Sequence, residues 1–355
     1  MSKSKMNLVL VIALLLAGAV KTFGQTVPPS TPEQVNKLIA VIKSDAPHKE
    51  KVDACRQLSV VGTKEAVAPL AALLGDEKLS HMARYALEPI PDPLVDEALR
   101  DALGKLKGRL LVGVIGSIGV RRDGRAIRAL SGMLGDSDAD VAQAAARALG
   151  KIGNRRAVRV LQRALPNVPA GNQLAFCEGL FRGAEALAVR GRLDRAVEIY
   201  DQLRSMKGPH QVRGGALRGA ILARGKDGLA LLREHLRSDD YILFSAAVQT
   251  SLEIPGADVT KALTSALKGL PADNQILIIL ALGKRADAAA LPALFAAAKG
   301  GEKSVRIAAI RALPQIGDTS AVPVLKALAG DADKEISQAA QKSLAALPGS
   351  EAGTE

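Results

Sequence analysis

The stretch RALGKIGNRRAVRVL, Arg147 to Leu161, returns 164 residues later as RALPQIGDTSAVPVL, Arg311 to Leu325, identical at nine of fifteen positions. The shared apolar positions are Leu149, Ile152, Val158 and Leu161 in one copy and Leu313, Ile316, Val322 and Leu325 in the other. A short helix pair cannot bury its own apolar face, so it must stack on a similar pair, and the stacking residues are needed again in every copy. Gly153 and Gly317 fall where a helix ends and the chain reverses, a place that favours left-handed backbone and therefore glycine. Pro314 stands where the first copy has Gly150. Pro323 falls in the first turns of its helix, where proline is tolerated; further in, proline kinks the chain.

Outward from this stretch the same grammar continues. In the run from Ile118 to Gly153, apolar Ile127, Leu130 and Leu134, then Val141, Ala145 and Leu149, recur at helical spacing on either side of Gly135-Asp136-Ser137-Asp138. Two amphipathic helices and a tight turn make one unit. The Ile-Gly pair at Gly119 returns at Gly153, a spacing of 34, and Leu282 to Leu313 shows a spacing of 31. Periods in this range with two helices each signal an α-solenoid. Composition agrees: 355 residues exceed the usual size of one core, and 48% of them are hydrophobic but only 2% aromatic, with no Trp. Ala and Leu suit close helix packing, whereas strands would want Val, Ile, Tyr and Phe. The expectation is an all-α solenoid over residues 32–347, about twenty helices in ten antiparallel pairs, stacked right-handed with the second helices lining a concave face.

The ends read differently. Lys3 and Lys5 precede a thirteen-residue apolar run, Leu8 to Val20, with small residues at Ala17, Gly18, Ala19 and Gly24. That is the pattern of a secretory signal peptide, residues 1–24, and the run is shorter than the roughly 20 residues a spanning helix needs. Cleavage after Ala19 and after Gly24 both fit the small-residue rule; an uncleaved membrane anchor is the other reading. Residues 25–31 form a Pro-rich lead-in, with Thr31, Pro32 and Gln34 expected as N-cap, first-turn proline and capping-box partner. Residues 348–355 form a polar tail.

The pattern ALGxIGxxxAVxxL, with a Gly-Asp-x-Asp turn before the partner helix, resembles the HEAT-like repeats that also occur in phycobilin lyases. The signal peptide together with YALEPIPDPLVDEALRDALGKLKG (Tyr85 to Gly108) and GLFRGAEALAVRGRLDRAVEIYDQL (Gly179 to Leu203) resembles exported HEAT-repeat proteins of planctomycete-type bacteria. The resemblance implies a solenoid that stands alone or is fused to a sugar-acting or c-type cytochrome domain, and that binds other macromolecules. Within the array, residues 171–206 resemble a tetratricopeptide hairpin through Gly191, Ala196 and Tyr200. The three prolines at Pro89, Pro91 and Pro93 interrupt the helices near the N-terminal end.

Residues that carry chemistry are sparse. Cys55 and Cys177 are the only cysteines, expected as buried free thiols, and no CxxCH for covalent haem occurs. His48, His81, His210 and His235 fall in separate repeats without metal-ligand spacing. Asp136 to Asp140 imitates the start of a calcium loop, but Val141 stands where glycine is needed and Arg147 where the bidentate glutamate belongs; it is expected as a helix N-cap and acidic first turn. No phosphate loop, GxSxG elbow or HExxH helix occurs. Gly214, Gly215 and Gly219 read as close helix packing. The sequence therefore offers no catalytic, cofactor-binding or metal-ligating residue.

Charge is the distributed signal. The chain carries a net +12, and between Arg121 and His235 it holds 21 basic against 11 acidic residues. This basic band favours an acidic protein partner, with anionic polysaccharide or envelope lipid as further options; part of it, Arg159 and Arg163 included, also fits a solvated outer face. Scarce aromatics leave no stacking platform for single-stranded nucleic acid. Arg147, Arg182, Arg213 and Arg218, on expected second helices, are the candidate partner contacts. The functional expectation is a non-enzymatic scaffold in the periplasm or outside the cell. An accessory docking subunit of an exported redox or sugar-acting enzyme is the alternative, and bilin lyase-like activity through the shared repeat is a third.

Overall fold

A computed structural model describes residues 31–347. The expected signal peptide, the lead-in up to residue 30 and the tail of 348–355 lie outside the described residues. The described residues fall into two compact units, 31–98 and 99–347. The first holds α1 (Pro32–Lys43), α2 (His48–Val61), α3 (Val67–Ala72), α4 (Ser80–Leu87) and the start of α5 (Pro93–Leu103). The second continues with α6 (Gly108–Arg121), α7 (Ile127–Gly132), α8 (Ala139–Ile152), α9 (Arg155–Ala164), α10 (Ala170–Val189), α11 (Leu193–Ser205), α12 (His210–Ala223) and α13 (Gly228–His235). It ends with α14 (Tyr241–Ser251), α15 (Ala257–Ala266), α16 (Ala272–Arg285), α17 (Leu291–Lys299), α18 (Lys303–Ile316), α19 (Val322–Ala329) and α20 (Lys334–Ala345). Twenty α-helices and no strand are found among the described residues, an all-α solenoid.

The helix starts are written locally. Thr31 caps α1, its hydroxyl accepting the Gln34 N–H at 3.2 Å, and Pro32 opens the first turn. Asp138 caps α8 by accepting the Asp140 N–H at 2.9 Å, so the calcium-like aspartates are a capped helix start. Asp240 and Asp333 do the same for α14 and α20, and Asn154 for α9. At Glu88 the first proline run ends α4, and the chain resumes helix at Pro93.

Within the second unit each second helix from α6 to α20 touches the next, and partner helices fill the other side. Leu149, Leu161, Leu313 and Leu325 are completely buried, with Ile152 and Val158 nearly so. Ile316 and Val322, expected as equivalent stacking residues, are only half-buried. They flank the Gly317 turn near the C-terminal end of the array. Pro314 lies inside α18, where it withholds a backbone donor from the preceding turn.

The helix ends correct the repeat register. α6, α8, α16 and α18 end on left-handed residues, Arg122 (φ 56°), Gly153 (φ 58°), Ala286 (φ 51°) and Gly317 (φ 75°). Arg122 is therefore the counterpart of Gly153, and the spacing is 31, not the 34 expected from the two Ile-Gly pairs. Gly119 corresponds to Gly150: both are inside helices, where second helices approach too closely for a side chain. A Cβ on Gly119 would lie 2.9 Å from Ala148 Cα, and one on Gly283 would lie 3.2 Å from Ala312 Cβ. These are one contact repeated 164 residues apart.

In the central segment, α10 and α11 are joined by a turn in which Gly191 takes φ 74°. Ala196 and Tyr200 are buried, and the Tyr200 ring packs on Phe181 at 6.1 Å between centroids. Gly219 of α12 leaves room for that ring, since a Cβ there would come within 2.6 Å of it.

Candidate interaction face

All four candidate arginines lie on second helices: Arg147 on α8, Arg182 on α10, Arg213 and Arg218 on α12. Three of them are already spoken for. Arg147 Nε donates to Glu178 of α10 at 2.7 Å, Arg218 Nε donates to Glu253 beyond α14 at 2.7 Å, and Arg213 pairs with Asp240, the N-cap of α14. Each joins one second helix to the next repeat. The hydrogen bond from Arg213 holds the Asp240 carboxyl below its usual range, and that from Arg218 does the same to Glu253. Lys303 with Asp333 and Glu335, and Arg306 with Asp331, repeat the device between α18 and α20. Beside Arg147, Gln143 donates to Asn172 at 3.0 Å, so the α8–α10 seam is polar toward its N-terminal end and glycine-packed toward the other.

These pairs are exposed enough for water to compete. Arg147 and Glu178 are 43% and 44% accessible, which places their coupling at about 0.2 to 1 kcal/mol. A double-mutant cycle of Arg147→Ala and Glu178→Ala, read by urea unfolding, is expected to return a value in that range that fades in roughly 1 M salt. Zero coupling at low salt would remove the pair as an inter-repeat link.

Arg182 is different. It is exposed, makes no ion pair among the described residues, and lines a cleft of about 450 Å³ with Arg122, Lys151, Arg190 and a single carboxylate, Glu185. Arg122, Lys151 and Arg190 were not legible as a group, because the 34-residue spacing hides that Arg122, Lys151 and Arg182 sit at neighbouring repeat ends. Two further clefts open on second helices. One of about 370 Å³ lies between α12 and α14, with Gly214, Ser245 and Tyr241 in its walls. The other, about 770 Å³, is bounded by Ile276 and Leu280 of α16, Ile307 of α18 and Glu335 of α20.

Other polar side chains serve the scaffold. Arg285 reaches back from the end of α16 to the Ser251, Ile254 and Gly256 carbonyls, holding the α14–α15 connection. Its burial lowers its pKa from the usual value. His235 is buried, with Nδ1 3.0 Å from the Leu231 carbonyl oxygen, while the other three histidines are exposed. Cys55 and Cys177 are buried and free, and burial pushes both thiols up to about 11, so they stay protonated at neutral pH. Among the described residues no group of three His, Cys, Asp or Glu could hold a metal ion, and no helix is long and apolar enough to cross a membrane.

The family model for HEAT repeats matches residues 91–173 and 260–345. These two stretches resemble HEAT repeats over just under half of the chain. The chain is similar in fold to solved karyopherin structures. Kap95p bound to RanGDP superposes with a TM-score of 0.53 at 11% identity, over 89% of this chain and 51% of that one. The Kap95:Nup1 complex gives 0.54 at 12% identity, over 89% and 51%. A Kap121p mutant gives 0.50 at 13% identity, over 91% and 42%. The chain thus spans about half or less of the length of these structures. No curated protein matches it.

Proposed function

We propose that this HEAT-repeat chain is a non-enzymatic, exported scaffold that holds a protein partner on the free face of its second helices. The observation that carries the reading is the face itself: second helices lie side by side through the second unit, and three clefts open between them toward solvent. A surface built by neighbour-to-neighbour stacking has its shape set by the backbone, so a partner meets it largely preformed. Solenoids of this fold hold proteins, as Kap95p does with RanGDP. Export is supported by Lys3, Lys5 and the apolar run from Leu8 to Val20. The basic band from Arg121 to His235 supports an acidic partner.

The test is site-dependent capture. Mature protein bearing Ser245→Glu and Ile307→Glu, in two of the clefts, is expected to lose about ten-fold or more of a partner captured from envelope extract. Protein bearing Arg128→Glu and Arg233→Glu, on the exposed surfaces of α7 and α13, is expected to retain it. Equal retention by both, or loss only in the second, would move the partner off the second-helix face.

A further inference from the structure

We infer that the first helices α7 and α9 present a docking surface for an anionic phospholipid bilayer, bound through its headgroup phosphates. The surface is separate from the second-helix face assigned to the protein partner, and it goes beyond that assignment.

Arginine content is the first observation. The exposed residues of α9 are Arg155, Arg156, Arg159 and Arg163, and the rest of that helix is buried or half-buried. Arg125, in the turn before α7, and Arg128 of α7 are exposed as well, and α7 packs on α9. Neither helix carries an acidic residue, and none of these guanidinium groups makes an ion pair among the described residues. Glu198, the carboxylate in the cleft that Arg155 and Arg159 line, is held by Arg195 at 2.8 Å. The first helices α11 and α15 mix the signs instead: Arg204 pairs with Asp201 at 2.8 Å, and Lys261 lies 3.6 Å from Asp258.

Repulsion is the second. Arg155, Arg159 and Arg163 follow one another at four-residue spacing, where like charges destabilise a helix. Arg155 and Arg156 also occupy the first turn of α9, the positive end of the helix, which favours anions. The apolar side of α9, Ala157, Val158 and Leu161, is already buried in the stack, so packing does not call for arginine at the exposed positions. A layer of anionic headgroups relieves both repulsions at once.

The chemistry of the face decides among anionic partners. Arginine donates hydrogen bonds and cannot accept them, and apart from Ser131 every exposed polar side chain of α7 and α9 is arginine. Gln162 is spent on Gln202 at 3.1 Å. Phosphate oxygens accept, and a guanidinium meets them two at a time, whereas the hydroxyls of a polysaccharide need acceptors that this face lacks. No aromatic side chain lies between Gly124 and Ala164 to stack on sugars or bases. The cleft beside Arg155 and Arg159 measures only about 120 Å³, little room for an anchoring side chain of a protein; a bilayer needs no pocket. Basic clusters of about four to eight side chains on an amphipathic helix suit an anionic lipid surface.

The experiment is vesicle flotation of the chain from Gln25 onward, so that the apolar run Leu8 to Val20 takes no part. Vesicles hold phosphatidylcholine alone or with about 30% phosphatidylglycerol, at about 0.1 M salt. Binding to the anionic vesicles is expected to exceed binding to the neutral ones by at least about ten-fold, and to be lost at about 0.5 M salt. Arg155→Gln with Arg159→Gln and Arg163→Gln should weaken it by about ten-fold or more. Lys268→Gln with Lys299→Gln and Lys326→Gln, an equal loss of charge from exposed positions elsewhere, should leave it within about two-fold. Thermal unfolding checks the variants; should the triple arginine variant fail to fold, Arg159→Gln with Arg163→Gln carries the test. Equal binding to both vesicles, an unchanged arginine variant, or an equal loss in the lysine variant would overturn the inference. Capture of a soluble protein or polysaccharide through the α9 arginines, without flotation, would overturn it too. The Ser245→Glu with Ile307→Glu protein that tests the scaffold reading should float like the unsubstituted chain, so the two readings fail separately.

Discussion

Leu149→Ala is expected to destabilise the chain by about 2 to 5 kcal/mol, and to do so locally. Leu149 is completely buried in α8, a helix that packs on α6, α7, α9 and α10, so truncation removes apolar burial and leaves a cavity that the neighbouring helices close only in part. Contacts in a solenoid run between neighbours, so hydrogen exchange should quicken around residues 120–200 and stay nearly unchanged beyond Ala281. Leu313→Ala, at the equivalent buried position of α18, should give the reverse map. Exposed Arg155 and Thr319 should tolerate replacement within roughly 0.5 kcal/mol. Loss of protection throughout the chain in either leucine variant would mean one shared core, and the stacked-repeat account would go with it.

Gly179→Val should be nearly as damaging for the opposite reason. A Cβ on Gly179 would lie 2.5 Å from the Ala146 carbonyl oxygen and 3.1 Å from Leu161 Cδ1, and one on Gly150 would lie 2.4 Å from the Gly179 carbonyl oxygen. The obstacle is backbone, which cannot swing aside as a flexible side chain can, so α8 and α10 must separate along their seam. The expected loss is about 3 kcal/mol, at the upper end of overpacking costs, and it outweighs the fraction of a kcal/mol a helix gains when glycine is replaced. Gly116→Ala is the matched comparison: Gly116 lies inside α6 with nothing within 4 Å of its added Cβ. It should stabilise by about 0.5 to 1 kcal/mol. Equal urea midpoints for the two variants would sink the close-approach argument.

The solenoid was legible in the sequence because its signals are local. A helix announces itself through apolar residues three and four apart, its start through Asp138 or Thr31, its end through Gly153 or Gly317, and stacking through the return of Leu149 and Leu161 as Leu313 and Leu325. Each depends on a few neighbouring residues or on simple recurrence. The register of the repeats was not legible, because Gly119 and Gly153 look alike in sequence while one relieves a helix–helix contact and the other ends a helix.

The charged face shows the same division. The sequence by itself determined an all-α stack of short helix pairs, a basic central band and the placement of Arg147, Arg182, Arg213 and Arg218 on second helices. Only the tertiary structure decided which of those charges remain available to a partner. Arg147, Arg213 and Arg218 meet carboxylates 31, 27 and 35 residues away, whereas Arg182 meets the cations Lys151 and Arg122 across its cleft. Helical periodicity is a property of adjacent residues, but an ion pair needs two side chains from different repeats to arrive within 4 Å. That meeting is set by the helix register and the glycine-controlled approach of the backbones, which no local pattern records.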